Sequence, residues 1–270
     1  RASGISIQVN SIDSSVDFRA TSGSVQLKAD QGAPHGLDLE GVTVRAPSGN
    51  NAQSVQLVAE NVQANDTTIV AGQIEIKASK QNGGTNNLVD AQLRSDNGVT
   101  INGETVDATD ARIVERSGNG VSIKANKGDN AQARVENATV LAEKGGSITV
   151  NGNGVVAENA VLEAGNSLTV NANNNQNGVP AGTLRANGSR LTAAGGNDLQ
   201  LVGRNLIEIA DSQTQEARID ARGGGSARAS VKSRPKTIRF DGVVIIDQDD
   251  VLKLNESPTK EGDTESGSVD

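Results

Sequence analysis

One motif returns ten times along this chain, and few folds can accommodate it. It is an apolar-polar-apolar alternation, usually entered through Gly, Ser, Asn or Asp and often left through a small residue. The copies are Ile5-Ser6-Ile7, Val25-Gln26-Leu27, Val55-Gln56-Leu57, Ile74-Glu75-Ile76, Val99-Thr100-Ile101, Val121-Ser122-Ile123, Ile148-Thr149-Val150, Leu168-Thr169-Val170 and Leu199-Gln200-Leu201, with a weaker tenth, Ala227-Arg228-Ala229. They begin 19 to 31 residues apart and average about 25. Repetition at such a period marks a stacked architecture built from one recurring supersecondary unit. Strict alternation puts the apolar side chains of each copy on one face of a short strand and the polar ones on the other.

Two further motifs keep a constant order between the copies. One reads Asn/Asp/Gly, small residue, variable residue, aliphatic, as in Gly41-Val42-Thr43-Val44, Asp66-Thr67-Thr68-Ile69, Asp110-Ala111-Arg112-Ile113, Asn137-Ala138-Thr139-Val140 and Asn159-Ala160-Val161-Leu162. The other is a short strand ahead of that turn, as in Val155-Val156-Ala157 and Leu206-Ile207-Glu208-Ile209. Three strands and three turns in about 25 residues make one coil of a right-handed parallel β-helix, an all-β solenoid of about ten coils. Coils pair at a rise of ~4.8 Å, giving a rod about 48 Å long. The remainder of each coil supplies the crossover that parallel strands require. The uneven spacing predicts insertions at turns, at Gln31–Gly36, Lys80–Asn87 and Asn173–Pro180, which are polar and rich in Gly or Asn.

Helices are excluded by the lack of an i, i+3, i+4, i+7 stripe and by the frequency of Gly. An antiparallel sandwich also shows short alternating strands. The composition favours the solenoid. The 270 residues hold 31 Gly and two Phe (Phe18 and Phe240), with no Trp, Tyr, Met or Cys. A core made only from Val, Ile, Leu and Ala must be narrow and uniform, like a tube of stacked side chains. A mean hydropathy of -0.41 raises disorder as a competitor, but sustained apolar alternation argues against it. Net charge is -8, from 25 basic and 33 acidic residues, which disfavours nucleic acid as a partner. Zero Cys excludes a disulfide scaffold. No apolar stretch approaches the ~18 residues of a membrane span. The chain opens Arg1-Ala2-Ser3-Gly4 without a charged-then-apolar leader, so export would make it a processed or internal segment.

The recurring Asn/Asp position has a structural explanation. These residues tolerate left-handed backbone and bond their own turn, and stacked copies can bond coil to coil. Asp66, Asp110, Asn137, Asn159 and Asp211 are expected to serve this way. Calcium on such a carboxylate column is the competing assignment, but the Gly- and Asp-rich nonapeptide of calcium-binding β-rolls is missing. The solenoid is expected to span residues 1–230. Residues 218–239 carry Arg218, Arg222, Arg228, Lys232, Arg234, Lys236 and Arg239, either as solvated outward positions or as a site for acidic glycans. Ile238, Phe240, Val243, Val244, Ile245 and Ile246 then form the most apolar run. Residues 231–256 are therefore expected to be an irregular cap over the open C-terminal edge. Residues 257–270 are expected to be a disordered acidic tail.

Little catalytic chemistry is visible. The one His, His35, lies in the turn-like Gln31-Gly32-Ala33-Pro34-His35-Gly36, which leaves no triad and no His-based metal site. No phosphate loop with Lys-Ser/Thr occurs. A β-helical polysaccharide hydrolase or lyase needs placed carboxylates and aromatic sugar platforms, and neither is apparent. No catalytic, cofactor or metal residue is nominated, and the chain is expected not to be an enzyme. Asn-x-Ser/Thr sequons at Asn65, Asn137, Asn187 and Asn255, and the tripeptide Lys127-Gly128-Asp129, carry no weight in so Asn-rich a chain.

The segments Ala164-Gly165-Asn166-Ser167-Leu168-Thr169-Val170-Asn171-Ala172 and Glu143-Lys144-Gly145-Gly146-Ser147-Ile148-Thr149-Val150-Asn151 resemble repeats of the filamentous-haemagglutinin-like exoproteins, the exported partners of two-partner secretion systems. The resemblance covers about residues 1–230, and autotransporter passenger domains share much of the style. It implies a Gram-negative cell surface, an outer-membrane secretion transporter as partner, and a β-helical shaft for host adhesion or for carrying a C-terminal toxin. The chain departs from the pattern in its irregular coil lengths, in lacking a recognisable secretion domain, and after Ala229. Its expected role is a structural and adhesive shaft that binds host cells or glycans through loops and outward strand faces. A passive spacer rod is the alternative.

Overall fold

The computed structural model describes residues 3–9, 11–29, 36–48, 53–78, 84–125, 131–172, 182–195, 198–204 and 206–221, and the backbone of four further strands, Ala227–Val231, Thr237–Phe240, Val243–Ile246 and Lys253–Leu254. Every regular element among them is a β-strand, and the chain forms a right-handed parallel β-helix. Three parallel sheets run its length. The first has eleven strands, from Ile5–Val9 to Lys253–Leu254. The second has ten, from Ile12–Asp13 to Thr237–Phe240, and the third ten, from Phe18–Arg19 to Val243–Ile246. Each strand pairs with the strands three elements before and after it, so one coil visits the three sheets in turn.

The ten copies of the apolar-polar-apolar motif are the first ten strands of the first sheet, and they stack residue on residue. Ile5 pairs with Val25, Val25 with Val55, Ile74 with Val99, Val99 with Val121, Val121 with Ile148, Ile148 with Leu168, Leu168 with Leu199, and Leu199 with Ala227. A slip of one residue would turn each aliphatic row out to water, so alternation alone fixes this register. Past the first coil the described inward rows are covered: Val25, Leu27, Leu57, Ile74, Ile76, Ile101 and Ile123 have no solvent exposure. Fully burying a Val, Leu or Ile side chain contributes ~1.5–3 kcal/mol, and here like residues fill like positions on each layer.

Inward positions that end a strand are narrower. The last inward residue of the third-sheet strands is Ala71, Ala142, Ala164, Ala193 and Ala221 in five coils, but Ser95 and Glu115 in two consecutive ones. In the second sheet Asn86 stands inward between Val62 and Val106. These three polar intrusions are where the repeat is broken.

Three expectations need adjustment. Lys80–Asn87 is not wholly an insertion, because Thr85–Asn87 is a second-sheet strand; its Asn-rich sequence disguises a strand whose inward residue is polar. Gly36 likewise opens the strand Gly36–Asp38. Within 231–256, Thr237–Phe240 and Val243–Ile246 continue the second and third sheets in register, pairing Ile207 with Ile238 and Ile219 with Val244, and Lys253–Leu254 extends the first. The backbone there forms a further coil rather than an irregular cover. His35, residues 31–35, 80–83 and 173–180, Lys127-Gly128-Asp129, Asn255 and the tail 257–270 lie outside the described residues, as do the side chains of the basic cluster beyond Arg218.

Candidate functional site

The turn column is the first candidate built from named residues. Gly41, Asp66, Asp90, Asp110, Asn137, Asn159 and Gly188 occupy the same turn in seven successive coils, all with φ between 52° and 70°. Six of the seven turns are closed by a backbone bond, such as Ala91 N–H to Leu88 O at 3.1 Å, with positive φ at the third of the four residues. That conformation favours Gly, Asn and Asp. The left-handed residue then donates its N–H to the next coil: Asp66 to Val89 O at 2.9 Å, Asp110 to Glu136 O at 2.8 Å, Asn137 to Glu158 O at 2.8 Å. Asp90 belongs to the column as fully as the residues named from sequence, and its Asp90-Ala91-Gln92-Leu93 fits the same motif. Asp211 does not share the left-handed backbone; its Oδ1 instead accepts the Ala217 N–H at 2.8 Å across a longer loop. The column is a folding device. Among the described residues, no group of three or more His, Cys, Asp or Glu side chains is gathered to hold a metal ion.

The second candidate grows from the polar intrusions in the third sheet. The corner between the third and first sheets holds one residue after Ala71, three after Ser95, and five after both Glu115 and Ala142. A longer corner turns backbone N–H groups back toward the interior, and those groups need acceptors. Ser95 Oγ donates to Gly72 O at 2.7 Å or Gly98 O at 2.8 Å, and accepts the Asn97 N–H at 3.1 Å. Glu115 does more, with a fully buried side chain. Its carboxylate accepts the Ser117 N–H at 2.7 Å, the Ser117 hydroxyl at 2.6 Å, the Gly118 N–H at 3.2 Å and the Gly120 N–H at 3.0 Å. Burial pushes its pKa up, but the bonds from Ser117, Gly120 and Gly118 together hold it below the ordinary glutamate value of 4.5. Gly118 and Gly120 have φ of +105° and +87°, and a Cβ on Gly120 would stand 2.3 Å from Ser147 O. Glycine is required there twice over. Gly146 is fixed by the same carboxylate, since its Cβ would meet Glu115 Oε2 at 2.8 Å.

These corners wall an open groove of about 410 Å³ on the outer face of the first sheet. It is lined by Gln73, Asn97, Gly98, Val99, Thr100, Asn119, Gly120, Val121, Ser122, Ser147 and Thr149. Asn119 Nδ2 donates to Asn97 Oδ1 along the wall and to Ser117 Oγ at 3.1 Å. Thr100, Ser122 and Thr149 are paired neighbours on successive strands and form the floor. Ser122 Oγ is covered yet has no hydrogen-bond partner among the described residues. Among the described residues, no lining residue is charged. Charges stand just beyond one end, where Glu75 pairs with Lys77 at 2.8 Å and accepts Gln56 Nε2 at 2.6 Å. The Lys77 contact outweighs burial and lowers the pKa of Glu75.

No family model, no curated protein and no solved structure matches this chain. The fold and the groove therefore carry the functional argument alone. Sequence reasoning named no site residue, and its three expected loops lie mostly outside the described residues. The available signal was the Ala71, Ser95, Glu115, Ala142 row, which emerges once the coils are aligned.

Proposed function

We propose that this chain is a structural and adhesive shaft segment of a large secreted bacterial surface protein, with no catalytic role of its own. The observation that carries the adhesive part is the uncharged groove between Asn97, Asn119 and Thr149. A solenoid needs only its inward rows to stand. Here two buried positions depart from alanine to support corners that shape an outward concavity. Surface features held on a rigid scaffold are how binding sites are commonly presented. The lack of Trp and Tyr disfavours a sugar-processing cleft. The repeat style supports export through an outer-membrane transporter to a Gram-negative surface, and a cysteine-free solenoid can stack coil by coil as it emerges. The binding partner in this reading is a host cell surface or its glycans.

The test is saturable binding of the purified chain to epithelial cells and to a glycan panel, with a boiled sample as control. Fold-dependent, saturable binding is the expected result. A sample with β-rich circular dichroism that binds neither cells nor glycans refutes the adhesive role and leaves a passive spacer.

A further inference from the structure

We infer that the groove on the first sheet takes a short uncharged oligosaccharide lying along the solenoid axis, held by Asn97, Thr100, Asn119, Ser122 and Thr149. This rests on the adhesive reading and adds the ligand class and its place. The groove runs from Gln73 to Thr149, across four stacked strands, a span of about 14 Å at the usual strand spacing. That length suits two or three sugar rings end to end.

The lining selects the chemistry. It offers hydroxyls and carboxamides, which both donate and accept, and so match a ligand whose own groups do both. Thr100, Ser122 and Thr149 are hydroxyl residues at successive strand spacings, a row of polar positions rather than one anchor. Ser122 Oγ has no hydrogen-bond partner among the described residues, and because it is covered it can serve a ligand in the groove only by turning its hydroxyl outward about χ1. An acidic sugar would bring a carboxylate or sulfate against described lining residues that include no cation, and a desolvated charge without a partner is costly. An extended peptide recognises a sheet through a free strand edge. The strands Gln73–Ala78, Val99–Gly103, Val121–Ala125 and Ile148–Asn151 are each paired on both sides, so no edge is on offer. A neutral sugar chain is the ligand that remains.

The experiment uses the full 270-residue chain on an array of neutral and acidic oligosaccharides, with titration of each hit followed by saturation-transfer NMR, and with epithelial-cell binding in parallel. Two variants accompany it. Ser122→Arg fills the groove from an outward position, in a row that already holds Gln26, Gln56, Glu75 and Gln200. The double variant Thr100→Ala with Thr149→Ala removes two floor hydroxyls without adding bulk. Circular dichroism and melting confirm the fold of both. The expected result is binding of neutral oligosaccharides that is abolished by the first variant and weakened about 20-fold by the second, as two neutral hydrogen bonds imply. Neutral sugars bound equally well by both variants overturn the location. Acidic sugars bound alone overturn the ligand class. Cells bound without any glycan overturn the inference and leave the adhesive reading standing. Binding to neither overturns both.

Discussion

Replacing Glu115 with Ala restores the repeat and removes the acceptor at the centre of the longest described corners, so two opposed effects can be weighed. Removing the carboxylate relieves the cost of burying a charge. It also deprives the Ser117, Gly118 and Gly120 N–H groups of their acceptor. Ser117 is exposed and can turn to water, and Gly118 can do so in part. Gly120 is buried and cannot. One buried unpaired donor costs ~1–3 kcal/mol, and losing bonds to an ionised acceptor adds ~1 kcal/mol or more. These losses come to about 3 kcal/mol before the relieved burial of the charge is set against them, so the net destabilisation should be about 2 kcal/mol, a fall in melting temperature of roughly 4–8 °C for a chain of this size. The pH dependence separates this account from a mere packing defect. The folded-state pKa of Glu115 is depressed. Its contribution is therefore fully present above the ordinary value of 4.5 and is lost as pH falls through the folded value. Urea titrations followed by circular dichroism should show a wide gap between the parent and Glu115→Ala at neutral pH and a narrower one in acid. An equal gap at both pH values, or none at neutral pH, would refute the reasoning.

Other perturbations probe the remaining irregularities. Asn86 Oδ1 is buried without a partner while its Nδ2 donates to Asn102 O at 2.8 Å, so Asn86→Val, matching Val62 and Val106, should stabilise by about 1 kcal/mol in the same titration. A Cβ on Gly103 would stand 2.8 Å from Asn86 Nδ2 and 2.8 Å from Thr105 O, so Gly103→Ala alone should cost ~2 kcal/mol and about 1 kcal/mol less beside Asn86→Val; strict additivity would show that only the Thr105 carbonyl matters. At Asn137, exposed with φ 53°, Gly should be tolerated within ~0.5 kcal/mol and Val should cost ~1–2 kcal/mol. Equal melting temperatures for those two variants would contradict a left-handed turn.

The fold was legible because strand alternation is a property of consecutive residues. Val25-Gln26-Leu27 and Val121-Ser122-Ile123 announce inward and outward faces without any knowledge of neighbours. The turn column was legible for the same local reason, since left-handed backbone selects Asn, Asp and Gly one residue at a time. Asn86 hid its strand because a polar residue stood where the pattern demands an apolar one. Glu115 hid its role differently. In sequence it is one acid in Val114-Glu115-Arg116-Ser117, with nothing to mark it as inward. Its meaning comes from Ser95 and Ala142, which are neighbours only after the coils stack. The groove is further still from the sequence, because it depends on corner lengths in four separate coils.

That dependence also explains why site and fold can be perturbed separately here. In a solenoid each coil contacts chiefly its neighbours, so stability is close to a sum of coil and interface contributions. The inward rows of Val, Ile and Leu supply those contributions, and the groove's side chains lie on the other side of the same strands. Outward replacements in the floor therefore leave the stacking rows untouched. Glu115 is the exception, facing inward and yet shaping the corner that walls the groove. Its removal should loosen the Ser117–Gly120 corner before it unfolds the rod. Amide exchange at Gly120 should then accelerate in Glu115→Ala under conditions where Ile101 and Val150, inward on the adjoining coils, keep their protection. Uniform loss of protection across those coils would mean that the carboxylate holds up the stack itself, and the corner could not be treated as a separable feature.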